Sequence, residues 1–551
     1  MIRSARSAYG LALLIGIAWT VFTFPPWVLL GGLPSGQPNN PDLIQHVMGQ
    51  RYFWHQPWHI RGLLVSRDLD APDGVMIGMT DSLPLVALLL KPFIGWFPSS
   101  FQAVTPWLAL CWILQPVAAV FALRSAGETR IIPALAIAVC ASSMPTFLIR
   151  ASHAALSSHF LLFLAIGISL RLSARPAQPP ATTDGRLPTR WLVAGCVLIP
   201  ALLLIHPYLM MMAVIVLFAG PATLLIRRDR NGIVVLASLL LASLATALLA
   251  RALGYLGGAS TDGFGIYSMN LLAPVWPETA SLLGRLAPHP LDATGGQYEG
   301  FQYLGMGLLL GVAGLVLFQS SRRSLRAVVS HQPGLVLACL VLTLIAVSNR
   351  IYLGHDLLVS LPSPPGAGIF RTSGRFFWPV GYAVLVGTIA GLATVRARVM
   401  SLLLVGLALV QTLDARKLHD ADTFRFRIFT PFTFDADRLQ SAMQSSALLT
   451  IYPEWPCEST IPVVASMMAV LNIADRVLIP VDTMYTARMT HPPRCDRSVL
   501  LLKPLQPGEL RVILPTQIKL MDLVPQHDTM CRRLGPYGVC SRSLSSVLPA
   551  Q

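Results

Sequence analysis

The sequence predicts a mainly α-helical protein that crosses a membrane many times and ends in a small α/β domain. Of its 551 residues, 54% are hydrophobic and only 12% are charged, which is about half the charged share of a soluble domain. The mean hydropathy is +0.61. Since a soluble protein of this size still needs a charged surface, lipid is the solvent that fits this composition.

Eleven apolar segments predict a transmembrane helical bundle, because each approaches the roughly 20 residues that a spanning helix needs. They lie at 9–31, 103–123, 131–149, 153–172, 191–206, 207–226, 233–256, 301–319, 333–349, 377–395 and 399–413. A further segment, 83–97, is short and contains Pro84, Lys91 and Pro92, so we predict a juxtamembrane or half-inserted helix there. About 11–13 spans are expected on this basis.

The positions of the basic residues orient the bundle. The formal net charge is +15, but the arginines cluster in short loops and do not form the continuous stripe of a nucleic-acid-binding protein. The clusters are Arg3 and Arg6, Arg124 and Arg130, Arg227, Arg228 and Arg230, Arg322, Arg323 and Arg326, and Arg396 and Arg398. The positive-inside rule then places the N-terminus in the cytoplasm of a bacterial inner membrane, with loops 32–82 and 257–300 and the region after 414 outside.

The composition changes at about residue 414, where short apolar runs begin to alternate with Pro, Asp and Gly. We therefore predict a transmembrane domain over 1–413 and a soluble periplasmic α/β domain over 414–551. An even number of cysteines in this polar region indicates two disulfides and an oxidising compartment. The spacing leaves their connectivity open, and we favour Cys457–Cys495 and Cys531–Cys540.

The first external loop carries the strongest candidate for chemistry. Asp42 begins a helical pattern in which Gln45 and His46 follow at i+3 and i+4, so one helix face presents a carboxylate, an amide and an imidazole. A carboxylate near lipid is suited to act as a base or a metal ligand, because desolvation perturbs its pKa. The alternative is that Asp42 only caps a juxtamembrane helix.

Further polar residues lie where neighbouring spans meet. Arg150, His153 and His159 surround the turn between the third and fourth apolar segments, and Tyr208 follows the break at Pro207. A guanidinium suits a phosphate group because it donates two parallel hydrogen bonds. The alternative is an arginine that snorkels at the membrane boundary.

Two later stretches complete the set of candidate residues. The second large loop contains amide, ring and carboxylate groups that suit a sugar, although external loops often contain such residues: Gln297, Tyr298 and Glu299. Arg371 and Arg375 flank Ser373 at the start of a membrane helix. They lie on the outer side, where the positive-inside rule disfavours arginine, so an anionic partner such as a lipid phosphate is indicated.

Together these stretches resemble a family of large polytopic bacterial membrane proteins that is catalogued as a domain of unknown function. The matching residues are Asp42–His46, Pro72–Gly74, Asp81–Pro84 with Lys91, Arg150 and His153, Tyr267–Asn270, Gly296–Gly300 and Ser373–Pro379. That family is in turn similar to the GT-C superfamily of polytopic glycosyltransferases, which use polyprenyl-phosphate-linked sugars. The resemblance implies that Asp42 is a catalytic base or a metal ligand, and it leaves open a divalent cation as a cofactor. GT-C enzymes often carry a second acidic residue in the next external loop, where this chain has Arg150 and His153.

We therefore predict a membrane glycosyltransferase that moves a sugar from a polyprenyl-phosphate donor to a cell-envelope glycan or lipid on the external face. Asp42 is the predicted base and His46 orients it; Arg150, Arg371 and Arg375 clamp the lipid phosphate. The predicted substrate-binding residues are Gln45, Arg150, His153, His159, Tyr208, Gln297, Tyr298, Glu299, Arg371, Ser373 and Arg375, and no metal ligand is assigned. Two alternatives stay open. A flippase or transporter of lipid-linked intermediates predicts polar residues at the membrane midplane, and a non-catalytic scaffold for envelope assembly predicts that Asp42 and Arg375 tolerate substitution.

Overall fold

The structure is a computed structural model of the chain. It describes residues 2–33, 36–38, 41–60, 62–174, 189–256, 263–287, 289–318, 322–323, 326, 329–486, 488, 492, 495–496, 501–525 and 529–542. The described helices are α1 (Ile2–Thr23), α2 (Pro26–Leu30), α3 (Pro41–His55), α4 (Pro84–Leu90), α5 (Val104–Ser125), α6 (Ile131–Ser142), α7 (Pro145–Leu148), α8 (Phe160–Leu172), α9 (Thr189–Leu203), α10 (Pro207–Ile226), α11 (Asn231–Ala252), α12 (Met306–Leu317), α13 (Pro333–Val347), α14 (Trp378–Leu392), α15 (Ala397–Asp414), α16 (Arg416–Arg427), α17 (Ala436–Gln444) and α18 (Ile461–Val477). The described strands are β1 (Gln37–Pro38), β2 (Val65–Ser66), β3 (Val75–Met76), β4 (Arg350–Leu353), β5 (Asp356–Ser360), β6 (Phe429–Thr430), β7 (Leu448–Tyr452), β8 (Glu509–Ile513), β9 (Met530–Leu534) and β10 (Tyr537–Ser541).

The apolar helices confirm the predicted polytopic membrane architecture. By length and composition, six of the described helices could cross a membrane, and six further apolar helices are shorter. Each of the eleven predicted apolar segments overlaps one of these helices, and the predicted juxtamembrane segment is α4 followed by a 3-10 helix at Lys91–Trp96. The Lys91 ammonium donates to the Phe53 carbonyl at 2.5 Å and lies over the rings of Phe53 and Trp58. This lysine is therefore held by the first loop.

Two helices are shorter than the spans predicted at 131–149 and 153–172. α6 ends at Ser142, shortly before Pro145, which has no backbone N–H to continue the helical ladder. The chain resumes a long helix only at Phe160, and the turn before it is closed by the Ser157 hydroxyl, which donates to the Arg150 carbonyl at 2.6 Å. Irregular backbone beside a membrane is tolerated where protein covers it or where it lines a cavity. Arg150 and His153 lie in this irregular segment.

Close backbone approach holds the helical bundle together. α5 packs against α1, α6 and α8, and α10 packs against α8, α11 and α13. A Cβ atom on Gly16 would lie 2.4 Å from the Ile113 carbonyl oxygen, so α1 and α5 meet at a position that only glycine fits. The buried core between these helices contains large side chains such as Trp112, Phe147 and Tyr382.

The C-terminal region contains a four-stranded sheet of order β7-β8-β10-β9, which confirms the predicted α/β character. β7 and β8 are parallel, and β10 pairs antiparallel with both β8 and β9. A parallel pair needs a long crossover connection, and α18 lies within it. Disulfides join Cys457 to Cys495 and Cys531 to Cys540. These are the two pairings that the sequence favours.

The first loop and the C-terminal sheet share one hydrophobic core. Ile44, Met48 and Tyr52 of α3 belong to the same buried cluster as Met467 and Leu471 of α18. β1, in the first loop, also pairs antiparallel with β6, which follows the helical bundle in the sequence. This core is therefore not confined to the residues after 413, and the predicted domain boundary at that position stays a prediction.

Candidate functional site

The helix predicted to begin near Asp42 is α3, and Asp42 lies in its first turn. Because α3 begins at Pro41, Asp42 is a helical residue and not the cap that precedes the helix. Gln45 and His46 follow on the next turn and are buried. The Gln45 amide donates to the Met79 carbonyl at 3.5 Å, so it ties α3 to the segment that carries Asp81.

The contact between α3 and the turn at Thr80–Ser82 is made possible by Gly49. A Cβ atom at this position would lie 2.1 Å from both the Ser82 and the Thr80 hydroxyl oxygens. In this turn Asp81 adopts a left-handed conformation with φ of 53°, which is uncommon for a residue other than glycine and is typical of functional sites.

Substituting Gly49 tests this packing. We expect Gly49→Ala to lower the free energy of unfolding by about 1–3 kcal/mol, because the added methyl group forces α3 away from the turn. Thermal unfolding of the detergent-solubilised protein measures the effect. Gly406→Ala is the control, since a Cβ atom there meets nothing within 4 Å. Equal effects of the two substitutions would contradict the close approach at Gly49.

Asp81 lies between two histidines from different parts of the chain. Its carboxylate is 3.2 Å from Nε2 of His153 and 3.5 Å from Nε2 of His206. The rings of His46 and His153 meet edge-on, with 4.4 Å between their centres. α3 therefore contacts the group formed by Asp81 and its two histidines. Asp81 was not a predicted site residue, although the resemblance already included the stretch Asp81–Pro84. An acidic residue close before a helix was the signal available in the sequence.

Glu299 is shared by two arginines. Its carboxylate accepts from Arg150 at 2.8 Å and from Arg375 at 2.9 Å and 3.0 Å. The three side chains are only 12–16% exposed. The predicted phosphate clamp and a residue predicted to line the sugar pocket therefore form one buried cluster with a net positive charge.

The charges of this cluster influence the pKa of Asp42. Burial first, and then the carboxylates of Asp81 and Glu299, raise the pKa of Asp42 to about 6, although Arg375 and Arg150 oppose the shift. A carboxylate with this pKa exchanges its proton near neutral pH, as a general base requires.

Four other titratable side chains, Glu299 and three histidines, each hold one charge state near neutral pH. Burial opposes ionisation of Glu299, but Arg150 and Arg375 outweigh it and hold the pKa of this carboxyl well below its usual range. Burial lowers the pKa of His46 and of His153 to about 3, so both imidazoles are neutral. Burial likewise lowers the pKa of His206 to about 3. Asp42 therefore has a raised carboxyl pKa, and the histidine one helical turn later, His46, is neutral.

Two further predicted residues support the arginine cluster. The Tyr208 hydroxyl accepts from the Thr372 amide at 2.9 Å, and the Arg375 guanidinium lies 5.2 Å from the centre of its ring. The Ser373 hydroxyl is buried and donates to the Ala346 carbonyl at 3.4 Å. Both side chains thus hold the segment that carries Arg375.

The remaining predicted residues differ in how near they lie to this cluster. The Arg371 guanidinium lies 5.7 Å from the ring centre of Tyr267, which meets Tyr298 edge-on at 6.2 Å. The side-chain oxygen of Gln297 accepts from the Asn270 side-chain amide at 3.2 Å and from the Ala293 backbone N–H. Gln297 thus stabilises the loop in which it lies. His159 is fully buried, hydrogen-bonded to Tyr382 and packed against the tilted ring of Trp378. It lies in the bundle core.

The fit of a divalent cation depends on the histidine tautomers. His46, Asp81 and His153 each offer one ligand atom within 4.8 Å of the others. However, the Leu156 amide donates to Nδ1 of His153 at 3.3 Å, so the proton of this neutral ring is assigned to Nε2. That Nε2 faces Asp81 and donates to it, whereas a metal ligand needs a lone pair there. The group does not fit a cation in this arrangement, and we derive no step through one.

Zinc uptake tests this assignment. We expect the purified, chelator-treated protein to take up zinc well below one equivalent per chain and to show no zinc-dependent rise in Tm. Elemental analysis and thermal unfolding measure the two quantities. Stoichiometric uptake that His153→Ala abolishes and the exposed-site control His331→Ala retains would contradict the tautomer assignment.

The chain matches a known protein family over most of its length. The model of a family described as a domain of unknown function (DUF6311) matches residues 13–416, which is most of the chain. The chain belongs to this family. The predicted membership is thereby confirmed. No curated protein matches the DUF6311 chain.

Two solved structures resemble the DUF6311 chain in fold. ArnT from Cupriavidus metallidurans, solved bound to undecaprenyl phosphate, aligns with a TM-score of 0.51 and 13% identity over 98% of both chains. The archaeal oligosaccharyltransferase AglB from Archaeoglobus fulgidus, solved with an inhibitory peptide and a dolichol-phosphate, aligns with a TM-score of 0.46 and 13% identity over 87% of this chain and 64% of that chain. The predicted likeness to the GT-C fold is confirmed.

Proposed function

We propose that the chain is a membrane glycosyltransferase that transfers a sugar from a polyprenyl-phosphate donor to a cell-envelope glycan or lipid. In this proposal the chain lies in the bacterial inner membrane, with its N-terminus in the cytoplasm and the site on the external face. The fold of ArnT, a protein solved with undecaprenyl phosphate, supports the donor class. The observation that carries the proposal is Asp42, a carboxylate with a raised pKa beside a buried Arg–Glu–Arg cluster.

Asp42 is the base in this reaction. It removes the proton from an acceptor hydroxyl as the hydroxyl oxygen attacks the anomeric carbon of the donor sugar. The bond between that carbon and the phosphate oxygen breaks, and its electron pair leaves with the polyprenyl phosphate. His46 follows Asp42 by one helical turn, and both its ring nitrogens are buried without a hydrogen-bond partner among the described residues. Within the described part of the chain, these nitrogens are therefore unpaired polar atoms of α3 next to the ring of His153.

Arg150 and Arg375 bind the phosphate. The leaving polyprenyl phosphate carries one more negative charge than the phosphodiester of the donor, and positioned guanidinium groups stabilise such developing charge. Glu299 neutralises only one of the two guanidiniums, so these three side chains keep one positive charge, which the nearby carboxylates of Asp42 and Asp81 partly offset. The Nε atom of Arg150 is buried and lacks an acceptor among the described residues, which leaves a donor for a phosphate oxygen.

The rim of the site suits a sugar or its acceptor. Tyr298 is 60% exposed and meets Tyr267, against which Arg371 lies. Aromatic faces bind the apolar faces of sugar rings, and the neighbouring guanidinium supplies hydrogen bonds to hydroxyl groups.

A clean deletion strain tests the proposal. We expect mass spectrometry of envelope glycans and lipids to show the loss of one glycosylated product on deletion and its return with the wild-type gene. Asp42→Asn should not restore that product at equal membrane abundance. If Asp42→Asn restores it fully, Asp42 is not the base, and the transporter and scaffold alternatives replace this proposal.

A further inference from the structure

α3 carries two sets of residues that face different parts of the protein. Asp42 and His46, in its first half, reach the site. Arg51 and Tyr52, in its second half, bond to the C-terminal region around α18. One rigid helix of 15 residues therefore connects the site to a region more than 400 residues later in the chain.

A buried ion pair makes the main connection. Arg51 donates through Nη1 to the Asp475 carbonyl at 2.8 Å and also to the Asp475 carboxylate. Both side chains are only 3% exposed. Nη2 of the same guanidinium donates to the Ser99 carbonyl at 3.0 Å. Three acceptors from two other segments thus define both the position and the rotation of α3 at Arg51.

Two more contacts support the same connection. The Tyr52 hydroxyl donates to the Ile479 carbonyl at 2.6 Å. Val481 donates to the Asp68 carbonyl at 2.9 Å and accepts from the Ala71 amide at 2.8 Å. Because Val481 also bridges to Leu449 of β7, the first loop is joined to the edge of the C-terminal sheet.

We propose that the C-terminal region positions the active-site helix, with Arg51 and Asp475 as the positioning residues that orient Asp42 and His46. A helix turns about its axis as one rigid unit, so a rotation of α3 at Arg51 turns Asp42 by the same angle and away from its cluster. The contacts between α3 and the C-terminal region are observed in the structure whatever the activity of the protein. Only their effect on catalysis rests on the proposed function. The C-terminal region is on this view a part of the site and not a separable module for binding acceptor.

Hydrogen–deuterium exchange of the full chain in detergent tests the proposal. We expect Asp475→Asn to raise amide exchange in 43–55 by about tenfold or more, because the helix loses the partner that holds it. The matched control is Glu509→Gln. It breaks the Glu509–Arg511 pair, which is equally buried within the C-terminal sheet, with both side chains 5% exposed.

Glu509→Gln should raise exchange in the C-terminal strands and leave 43–55 unchanged. Equal exchange of 43–55 in wild type and Asp475→Asn, or an equal rise in both variants, would overturn the proposal. If Asp475→Asn does not fold, Tyr52→Phe replaces it, because this variant removes only the hydroxyl group that donates to the Ile479 and Ala474 carbonyls. A several-fold rise in exchange is expected there, and no change would again overturn the proposal.

A second readout separates positioning from general stability. In a transfer assay, Asp475→Asn should move the acid limb of the pH profile below its wild-type midpoint, because Asp42 becomes more exposed to solvent, whereas Glu509→Gln should keep that midpoint. An unchanged midpoint in Asp475→Asn would overturn the positioning role. The exchange experiment needs no substrate, so failure of the proposed function leaves its result intact.

Discussion

Asp42→Asn is expected to reduce the rate of sugar transfer by about 10²–10⁴-fold, the usual contribution of a positioned general base. Asparagine keeps the shape of the side chain but cannot accept the acceptor proton. The loss should therefore appear in kcat, with KM nearly unchanged. The measurement is product formation in membranes of the deletion strain that contain equal amounts of each variant, using the product identified by mass spectrometry.

A neighbouring aspartate supplies the control for this substitution. Asp73 lies in the same loop and is exposed, so Asp73→Asn makes the same chemical change outside the site. It should keep transfer within about twofold of wild type. Equal losses in Asp42→Asn and Asp73→Asn would assign the effect to the loop as a whole and not to a base.

The pH dependence gives an independent test of the same carboxylate. The pKa of Asp42 is raised to about 6, and only the deprotonated form accepts a proton. Transfer should therefore be low at pH below about 5 and should rise with a midpoint near 6. A midpoint near 4, the usual value of an exposed aspartate, would contradict the raised pKa of Asp42.

Glu299→Gln is expected to give the largest loss of stability. The substitution leaves the guanidiniums of Arg150 and Arg375 buried together without their shared carboxylate. Removing one partner from a buried ion pair costs about 3–5 kcal/mol. Thermal and denaturant unfolding of the solubilised protein measure this loss, and transfer should fall as well because the two arginines repel each other.

An exposed pair on the same protein is the matched control. Asp420 pairs with Arg416 at 3.6 Å, and their side chains are 72% and 75% exposed. Such surface pairs contribute about 0–1 kcal/mol. Asp420→Asn should therefore change the free energy of unfolding far less than Glu299→Gln. Similar losses in both variants would show that the Glu299 cluster is not a buried network.

The sign of the pH effect on this cluster follows from the lowered pKa of Glu299. A carboxylate with a lowered folded-state pKa contributes stability that is fully present above its unfolded pKa of about 4.3. That contribution is lost only as the pH falls from there through the folded-state pKa. The contribution of Glu299 to the free energy of unfolding should thus be constant between about pH 5 and 8. The titration of Asp42 falls in this range, so the two effects do not overlap.

Local pattern was sufficient to predict the bundle and the helix that carries the site. Apolar runs report burial in lipid directly, because each spanning helix satisfies its own backbone hydrogen bonds. The i+3 and i+4 spacing of Gln45 and His46 after Asp42 likewise depends only on the helical repeat. The end of α6 and the start of α8 were harder to predict, because apolar residues such as Met144, Phe147 and Leu156 are interspersed with polar ones through the irregular segment at 143–159.

By itself, the sequence determined a polytopic membrane bundle, a disulfide-bonded α/β region at the C-terminus and Asp42 as the candidate base. Only the tertiary structure decided that Glu299 is shared by Arg150 and Arg375, and that Asp81 lies against His153 and His206. It also decided the pairing of Arg51 with Asp475, which are 424 residues apart. The physical reason is that pairing between distant charged groups depends on how separate helices and loops pack, and no local period of the sequence encodes that packing.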